Sequence, residues 1–373
     1  MLYLDYAANT PVDPRVLDYY TWHCSRYIAN PNSSHPLGRE ARARMDEVTE
    51  HIAELLKVKP GEIIYTSGAS EANNLAIKGV VQAYKHNGKH IISTCLEHPS
   101  VSGALTHLQT LGYEIDLVDI TGDGLIDLEH LKELLREDTV LVSVCYVDSE
   151  LGVQQPIPEL GELLKQYPNC RLHVDATQAV GKLPLPIENI DLLTFTPHKF
   201  FGMNGCGILI RKEPVVLEPL HHGGTSTTIY RSGTPALALA ASVEKALELA
   251  MKEQEERNLL VRQLHDMLLL KLSGYKKVRI NSTGGSVPHI INLSVQGVKG
   301  VLFQEALSQE GICVSVKSAC SAVSALSRPV YAVTKDKKNA MCSWRISLSH
   351  WTTEEELEYF YQAFDRCYTK LSQ

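Results

Sequence analysis

RLHVDATQAVGKLPLPIENIDLLTFTPHKFFGMNGCGILIRK, residues 171–212, sets three short apolar runs, RLHVDA, DLLTFT and GILIRK, between polar and glycine-bearing connections. Within each run apolar side chains fall on consecutive positions, the pattern of a strand buried on both faces. Similar runs recur upstream as EIIYTS, KHIIST, YEIDLVD and TVLVSVCYV. Helical patterns lie between them over Glu71–Lys85, Ser100–Leu111 and Leu128–Arg136. Strand–helix alternation of this kind predicts an α/β fold with a mostly parallel seven-stranded sheet between helices. Ligands of such sheets gather at the carboxyl ends of the strands.

Downstream the pattern changes. Ala236–Leu272 reads as one long helix, with no proline or glycine, leading to a second, smaller unit. The strands HIINLSV and SWRISLS and the helices Lys299–Glu310 and Thr353–Tyr368 make that unit α+β, with NSTGGSVPH as a loop inside it.

Composition narrows the function classes. A net charge of −7 over 373 residues speaks against nucleic-acid and anionic-membrane partners, which favour basic patches. The opening MLYLDYAANTPVDP meets acids and a proline too early for a secretory segment, and no apolar run approaches the ~18 residues that span a bilayer. The nine cysteines are odd in number, irregularly spaced and free of C-x-x-C. Reduced thiols in the cytoplasm are expected, without a metal site or disulfide framework.

Four places along the predicted sheet carry chemistry. After EIIYT, the turn Ser67-Gly68 opens a helix at Ala69-Ser70-Glu71. Unpaired helix amides bind an anion there, although Ser70 as a plain N-cap fits equally. RLHVDA ends in Asp175, with Gln178 three residues on; an acid at the ligand edge, or an N-cap, both fit. DLLTFT runs directly into Lys199, which is either an exposed loop lysine or one tuned for Schiff-base chemistry. His98, in EHPSV, is placed to stack on a flat ring or to cap a helix. Together, an anion cradle, an acid and a lysine at successive strand ends meet the three needs of pyridoxal 5'-phosphate.

The motifs LDYAANTP (4–11), NPNSSHPLGREAR, TSGASEANN, EHPSV, HVDATQAVGK, PHKFFGMNGCG, RSGT, KSACSA and RISLSHWTTEEE follow in order through nearly the whole chain. In this the sequence resembles the cysteine desulfurases of the NifS/IscS type, within the class V aminotransferase superfamily. The resemblance implies the fold type I architecture of PLP-dependent transferases. It divides the chain into a large cofactor-binding domain, 14–255, and a small domain formed by 1–13 and 256–373.

It also implies roles. Lys199 is the Schiff-base lysine, Asp175 pairs with the pyridine nitrogen, and Gln178 with the ring hydroxyl. His98 stacks on the ring and helps move protons. Ala69, Ser70, Thr196 and His198 hold the phosphate. Thr234 reaches the phosphate of a partner subunit's cofactor, which implies a homodimer. Arg345 grips the carboxylate of L-cysteine through a guanidinium fork. Cys320 is the nucleophile that becomes a persulfide, for delivery to a sulfur-acceptor protein. The products are L-alanine and that persulfide. A selenocysteine lyase or an aminotransferase of the same superfamily is the alternative, and neither needs Cys320. The chain departs from the usual pattern at three places: Val316-Lys317 stand for small residues, Asp148-Ser149 for two asparagines, and Thr225-Ser226 for Gln-Glu or His-Glu. Ser149 replaces an asparagine that contacts the ring oxygen of the cofactor.

Overall fold

The computed structural model describes residues 1–316 and 326–372. After a short first strand, β1 (Leu2–Tyr3), the seven expected strands follow as β2 (Ile63–Thr66), β3 (His90–Ser93), β4 (Glu114–Leu117), β5 (Thr139–Cys145), β6 (Arg171–Asp175), β7 (Leu192–Phe195) and β8 (Gly207–Arg211). They form one sheet in the order β2-β8-β7-β6-β5-β3-β4. The four pairings from β7 to β4 are parallel; β8 runs antiparallel to both of its neighbours.

The consecutive apolar residues divide between two cores. Ile91, Leu141, Leu192 and Leu209 face the helices Ala69–Ala83 and Pro99–Thr110. Their neighbours Ile92, Val142, Leu193 and Ile210 face the opposite core, which also takes the helices Pro36–Leu56 and Leu237–Lys252. A side chain points to alternate faces at each strand position, so a sheet covered on both faces needs apolar residues at both.

The pattern Ala236–Leu272 is not one helix. Leu237–Lys252 and Gln254–Leu272 meet at Glu253, whose backbone leaves the helical region at φ −102° and ψ 8°. The first helix buries ten of its residues, largely in the sheet-side core. The second gives Val261, Leu264, Leu268 and Leu272 to a separate core. The break is pinned by Arg15 and Arg257, each 2.6 Å from the Glu253 carboxylate.

That separate core lies under a three-stranded antiparallel sheet, β9 (Val278–Ile280), β10 (Ile290–Val295) and β12 (Ser343–Ser347), in the order β12-β10-β9. Trp344, Phe303 and Phe364 fill it, with the Phe303 and Trp344 rings stacked 5.2 Å apart. The remaining strand, β11 (Ile312–Cys313), pairs in parallel with β1. Single bridges Asp5–Ser347 and Ser315–Arg345 join that pair to β12. The N-terminal residues are thereby stitched to the C-terminal sheet before the chain reaches Ala7, which belongs to the large core.

Candidate active site

The carboxyl ends of β5, β6 and β7, the start of the Ala69–Ala83 helix and the segment Ala7–Ala8 enclose a cavity of about 390 Å³. That volume falls within the roughly 300–1,000 Å³ common for small-molecule sites. Ala69, Ser70, His98, Asp175 and Gln178 line it. So do Ser149, Thr196, His198, Lys199 and Arg345. Thr234 does not. It is exposed, in a segment whose cavity of about 120 Å³ adjoins the first through the shared residue Ser67. Cys320 lies outside the described residues.

At the helix start the N-cap is Gly68, and no side chain caps the first amides. Ser70 is therefore not the cap. A Cβ on Gly207, in the neighbouring strand, would lie 2.5 Å from the carbonyl carbon of Gly68, so the close approach of β8 to this turn requires glycine there. Glu71 steadies the turn: Ser67 N–H donates to it at 2.7 Å and Arg231 Nε at 2.9 Å. Burial pushes this carboxyl up, but those bonds outweigh it and hold Glu71 at about 2. The unpaired amides of a helix N-terminus carry partial positive charge, the chemistry that receives a phosphate.

Asp175 ends β6 with both carboxylate oxygens engaged. Oδ1 accepts the Thr177 N–H at 3.0 Å and so closes a turn; no helix starts after Asp175, and the N-cap alternative does not hold. Oδ2 accepts from Asn73 Nδ2 at 2.8 Å. Asn73 is fully buried; it also donates to Ser100 Oγ at 2.9 Å and accepts from the Thr194 hydroxyl. Asp175 is thus oriented from outside the cavity, and carboxylate oxygens retain lone pairs for a cationic ring nitrogen.

His98 takes the capping role and faces the cavity as well. It caps the Pro99–Thr110 helix, with Nδ1 accepting the Ser100 N–H at 3.1 Å. That fixes the proton on Nε2. Burial, helped by the nearby Lys199 charge and opposed by Asp175, lowers its basicity. Beside it, the Glu97 carboxyl is buried and pushed up to about 8, principally by that burial. One Glu97 oxygen accepts from Thr94 Oγ1 and Cys145 N at 2.7 and 2.9 Å.

Lys199 Nζ donates to the carbonyls of Ala7 and Ala8 at 2.9 and 2.6 Å. Gln178 Nε2 donates to the same Ala7 carbonyl at 2.8 Å, and its Oε1 accepts from Lys182 Nζ at 3.3 Å. Burial, with Lys199 and Arg345 nearby, pulls Lys182 down to about 7. Thr196 donates its hydroxyl proton to the Cys206 carbonyl at 2.8 Å, so its oxygen accepts from His198 Nδ1 at 2.9 Å. Burial and the two lysines lower His198 to about 4, leaving its other nitrogen a neutral acceptor.

Arg345 is 2% exposed. Its two terminal nitrogens bond the Ser149 carbonyl at 2.6 Å and Asp5 Oδ1 at 2.7 Å. Of the departures from the resemblance, Ser149 therefore supplies a backbone acceptor to this arginine. Asp148 is buried, pushed up to about 7 by that burial, with its neighbour Glu150 adding to the effect. Ser226 is held by Asn32 Nδ2 at 3.0 Å.

Several of these residues escaped sequence reasoning. Asn73 had a signal: it is a polar side chain within the apolar stripe Ala72, Leu75, Ala76 of its helix. Glu97 and the Ala7–Ala8 carbonyls had none, since their parts depend on which segments meet.

The residues present fit pyridoxal phosphate: an uncapped helix start, an oriented carboxylate and a lysine face one cavity of suitable volume. The eight cysteines among the described residues are unpaired. Among the described residues no cluster of His, Cys, Asp and Glu is arranged to hold a metal ion, and no helix is long and apolar enough to cross a membrane.

The sequence matches the aminotransferase class-V family over residues 2–360. It is 38% identical to a cysteine desulfurase IscS of Neisseria meningitidis serogroup C, over 96% of this chain and 90% of the relative. Among solved structures, a NifS-like protein superposes with a TM-score of 0.93 at 32% identity, covering 99% of this chain and 100% of the other. A protein described as SspA in complex with cysteine superposes with a TM-score of 0.83 at 28% identity, covering 95% of this chain and 100% of the other. The chain belongs to the aminotransferase class-V family and, within it, to the cysteine desulfurases.

Proposed function

We propose that this protein removes sulfur from L-cysteine with the help of pyridoxal 5'-phosphate, leaving L-alanine and a persulfide on Cys320. The observation that carries the proposal is the single cavity in which Lys199, Asp175, Gln178, His98 and Arg345 meet at an uncapped helix start.

When bound, the cofactor supplies an electron sink that makes the substrate Cα–H acidic. Ala69, Ser70 and the helix amides hold its phosphate, Asp175 its ring nitrogen and Gln178 its ring hydroxyl. Lys199 anchors it and carries the Cα proton. His98, neutral with its proton on Nε2, faces the cavity and would pack on the cofactor ring. Arg345 takes the substrate carboxylate, since a guanidinium has five N–H donors and its two present bonds leave others for a second acceptor.

The sulfur passes to Cys320: the thiolate attacks the substrate sulfur, an S–S bond forms and the Cβ–S bond breaks. Support comes from the described thiols. Among them only Cys145 lines the cavity, and burial together with Glu97 raises its pKa well above normal. A protonated thiol is a poor nucleophile. Lys317, three residues before Cys320 in sequence, is suited to favour a thiolate there.

We further propose a homodimer in which Thr234 reaches the partner's cofactor; its exposure away from this chain's own cavity supports that role. We keep the division 14–255 against 1–13 and 256–373; Val261, Leu264, Leu268 and Leu272 in a core of their own support it, while Ala7, Val287 and Ile290 cross into the large core. A cytoplasmic location and a protein acceptor for the persulfide complete the proposal. Incubating the purified protein with L-cysteine and a reductant should release sulfide and alanine in equal amounts. A protein loaded with cofactor that releases neither would refute the proposal.

A further inference from the structure

The first motif of the sequence, LDYAANTP, supplies the site with two carbonyls and with the Asp5 side chain. Its Asp5 side chain occupies a position of consequence. Asp5 Oδ1 lies 2.7 Å from a terminal nitrogen of Arg345, and Oδ2 accepts from Ser315 Oγ at 2.8 Å. Ser315 and Arg345 are themselves paired through their backbones, by N–H to carbonyl bonds of 3.2 and 2.6 Å. The three residues close a triangle. Three residues further on, Ala8, with Ala7 before it, holds Lys199 Nζ.

We propose that Asp5 is the positioning residue for substrate recognition, fixing the plane of the Arg345 guanidinium so that its remaining N–H groups are presented to the substrate carboxylate. This rests on the reading of Arg345 as the carboxylate-binding residue. The physical argument is geometric. A guanidinium recognises a carboxylate through paired, coplanar bonds, which tolerate little rotation. Arg345 has two terminal anchors, a neutral carbonyl at Ser149 and the Asp5 carboxylate, while its Nε meets no acceptor among the described residues. With Asp5 removed, one anchor remains, and the plane is free to turn about it. Asp5 is itself clamped, by Ser315 through its side chain and by the Asp5–Ser347 bridge through its backbone. A clamped anchor is what a positioning role requires.

The test measures equilibrium binding of the product, L-alanine, to the cofactor-loaded protein, read from the cofactor absorbance and without turnover. Asp5→Ala is expected to weaken L-alanine binding about tenfold, the size of a lost charge-assisted bond. Asp5→Asn keeps an acceptor oxygen toward Arg345 and is expected to stay within about threefold of the parent. In a double-mutant cycle, Asp5→Ala is expected to add nothing on an Arg345→Ala background. Equal losses on both backgrounds, or unchanged binding by Asp5→Ala, would overturn the inference. Should Asp5→Ala fail to fold, Asp5→Asn carries the test, and a tenfold loss in that variant overturns it. If Arg345→Ala itself binds L-alanine normally, the reading of Arg345 fails; if Arg345→Ala weakens binding and Asp5→Ala does not, only the role of Asp5 fails.

Discussion

Asn73 Nδ2 stands 2.8 Å from Asp175 Oδ2, and neither side chain is open to solvent. The pair joins the second turn of the Ala69–Ala83 helix to the end of β6, so one amide couples the uncapped helix start to the acid at the cavity.

Replacing Asn73 by alanine removes that tie and strips a partner from the Thr194 hydroxyl. Leaving buried polar groups unpaired costs about 1–3 kcal/mol. Asn73→Ala is expected to lower the melting temperature of the apoprotein and to weaken pyridoxal phosphate binding by about tenfold. Fluorescence titration of the apoprotein with cofactor checks this, and unchanged affinity would mean that Asp175 needs no orientation.

Lys199→Ala should abolish covalent attachment of the cofactor while leaving the helix start and Asp175 intact. Reduction with borohydride followed by peptide mapping should place the modified lysine at 199 in the parent protein and find none in the variant. Lys182, also beside Gln178 and with its pKa pulled to about 7, is the informative control. Label on Lys182 would show that the wrong amine has been assigned.

The buried Glu97 carboxyl gives a pH prediction. Its folded pKa of about 8 exceeds the ordinary value of 4.5, so between those values the folded state holds the proton and the unfolded state has lost it. Its contribution is therefore full below the unfolded value and is lost as pH rises through the folded one. Glu97→Gln keeps a hydrogen-bonding group of the same shape and cannot ionise. The variant is expected to melt progressively higher relative to the parent between about pH 4.5 and pH 8, with the difference level on either side of that window. A difference independent of pH would show that Glu97 is ionised in the folded protein.

The fold was legible in the sequence because the sheet is covered on both faces, which writes consecutive apolar residues into every central strand. The break at Glu253 was not legible. Nothing in the local composition of Ala236–Leu272 disfavours a helix, and the interruption arises from two cores and from Arg15, more than two hundred residues away. The same distinction divides the site. Asp175 and Lys199 follow strands directly and announce themselves. Asn73, Asp5 and the Ala7–Ala8 carbonyls act only because remote segments meet, and the motif holding Asp5 gave no hint of which side chain its carboxylate would find.

Cys320 decides between the desulfurase and a lyase in which the cofactor alone expels the leaving group. Cys320→Ser leaves Lys199, Asp175 and Arg345 unaltered, so cofactor and L-cysteine should bind as in the parent. Sulfur transfer should fail, because a hydroxyl is a far weaker nucleophile toward sulfur than a thiolate. Treated with L-cysteine and no reductant, the parent protein should gain one sulfur atom on the peptide that contains residue 320. Cys145, which lines the same cavity, should gain none, since its raised pKa keeps it protonated. Mass spectrometry of both peptides, with alanine measured in the same samples, separates the outcomes. Normal alanine production by Cys320→Ser would assign the chemistry to a lyase. A sulfur found on Cys145 instead would place the nucleophile at the end of β5.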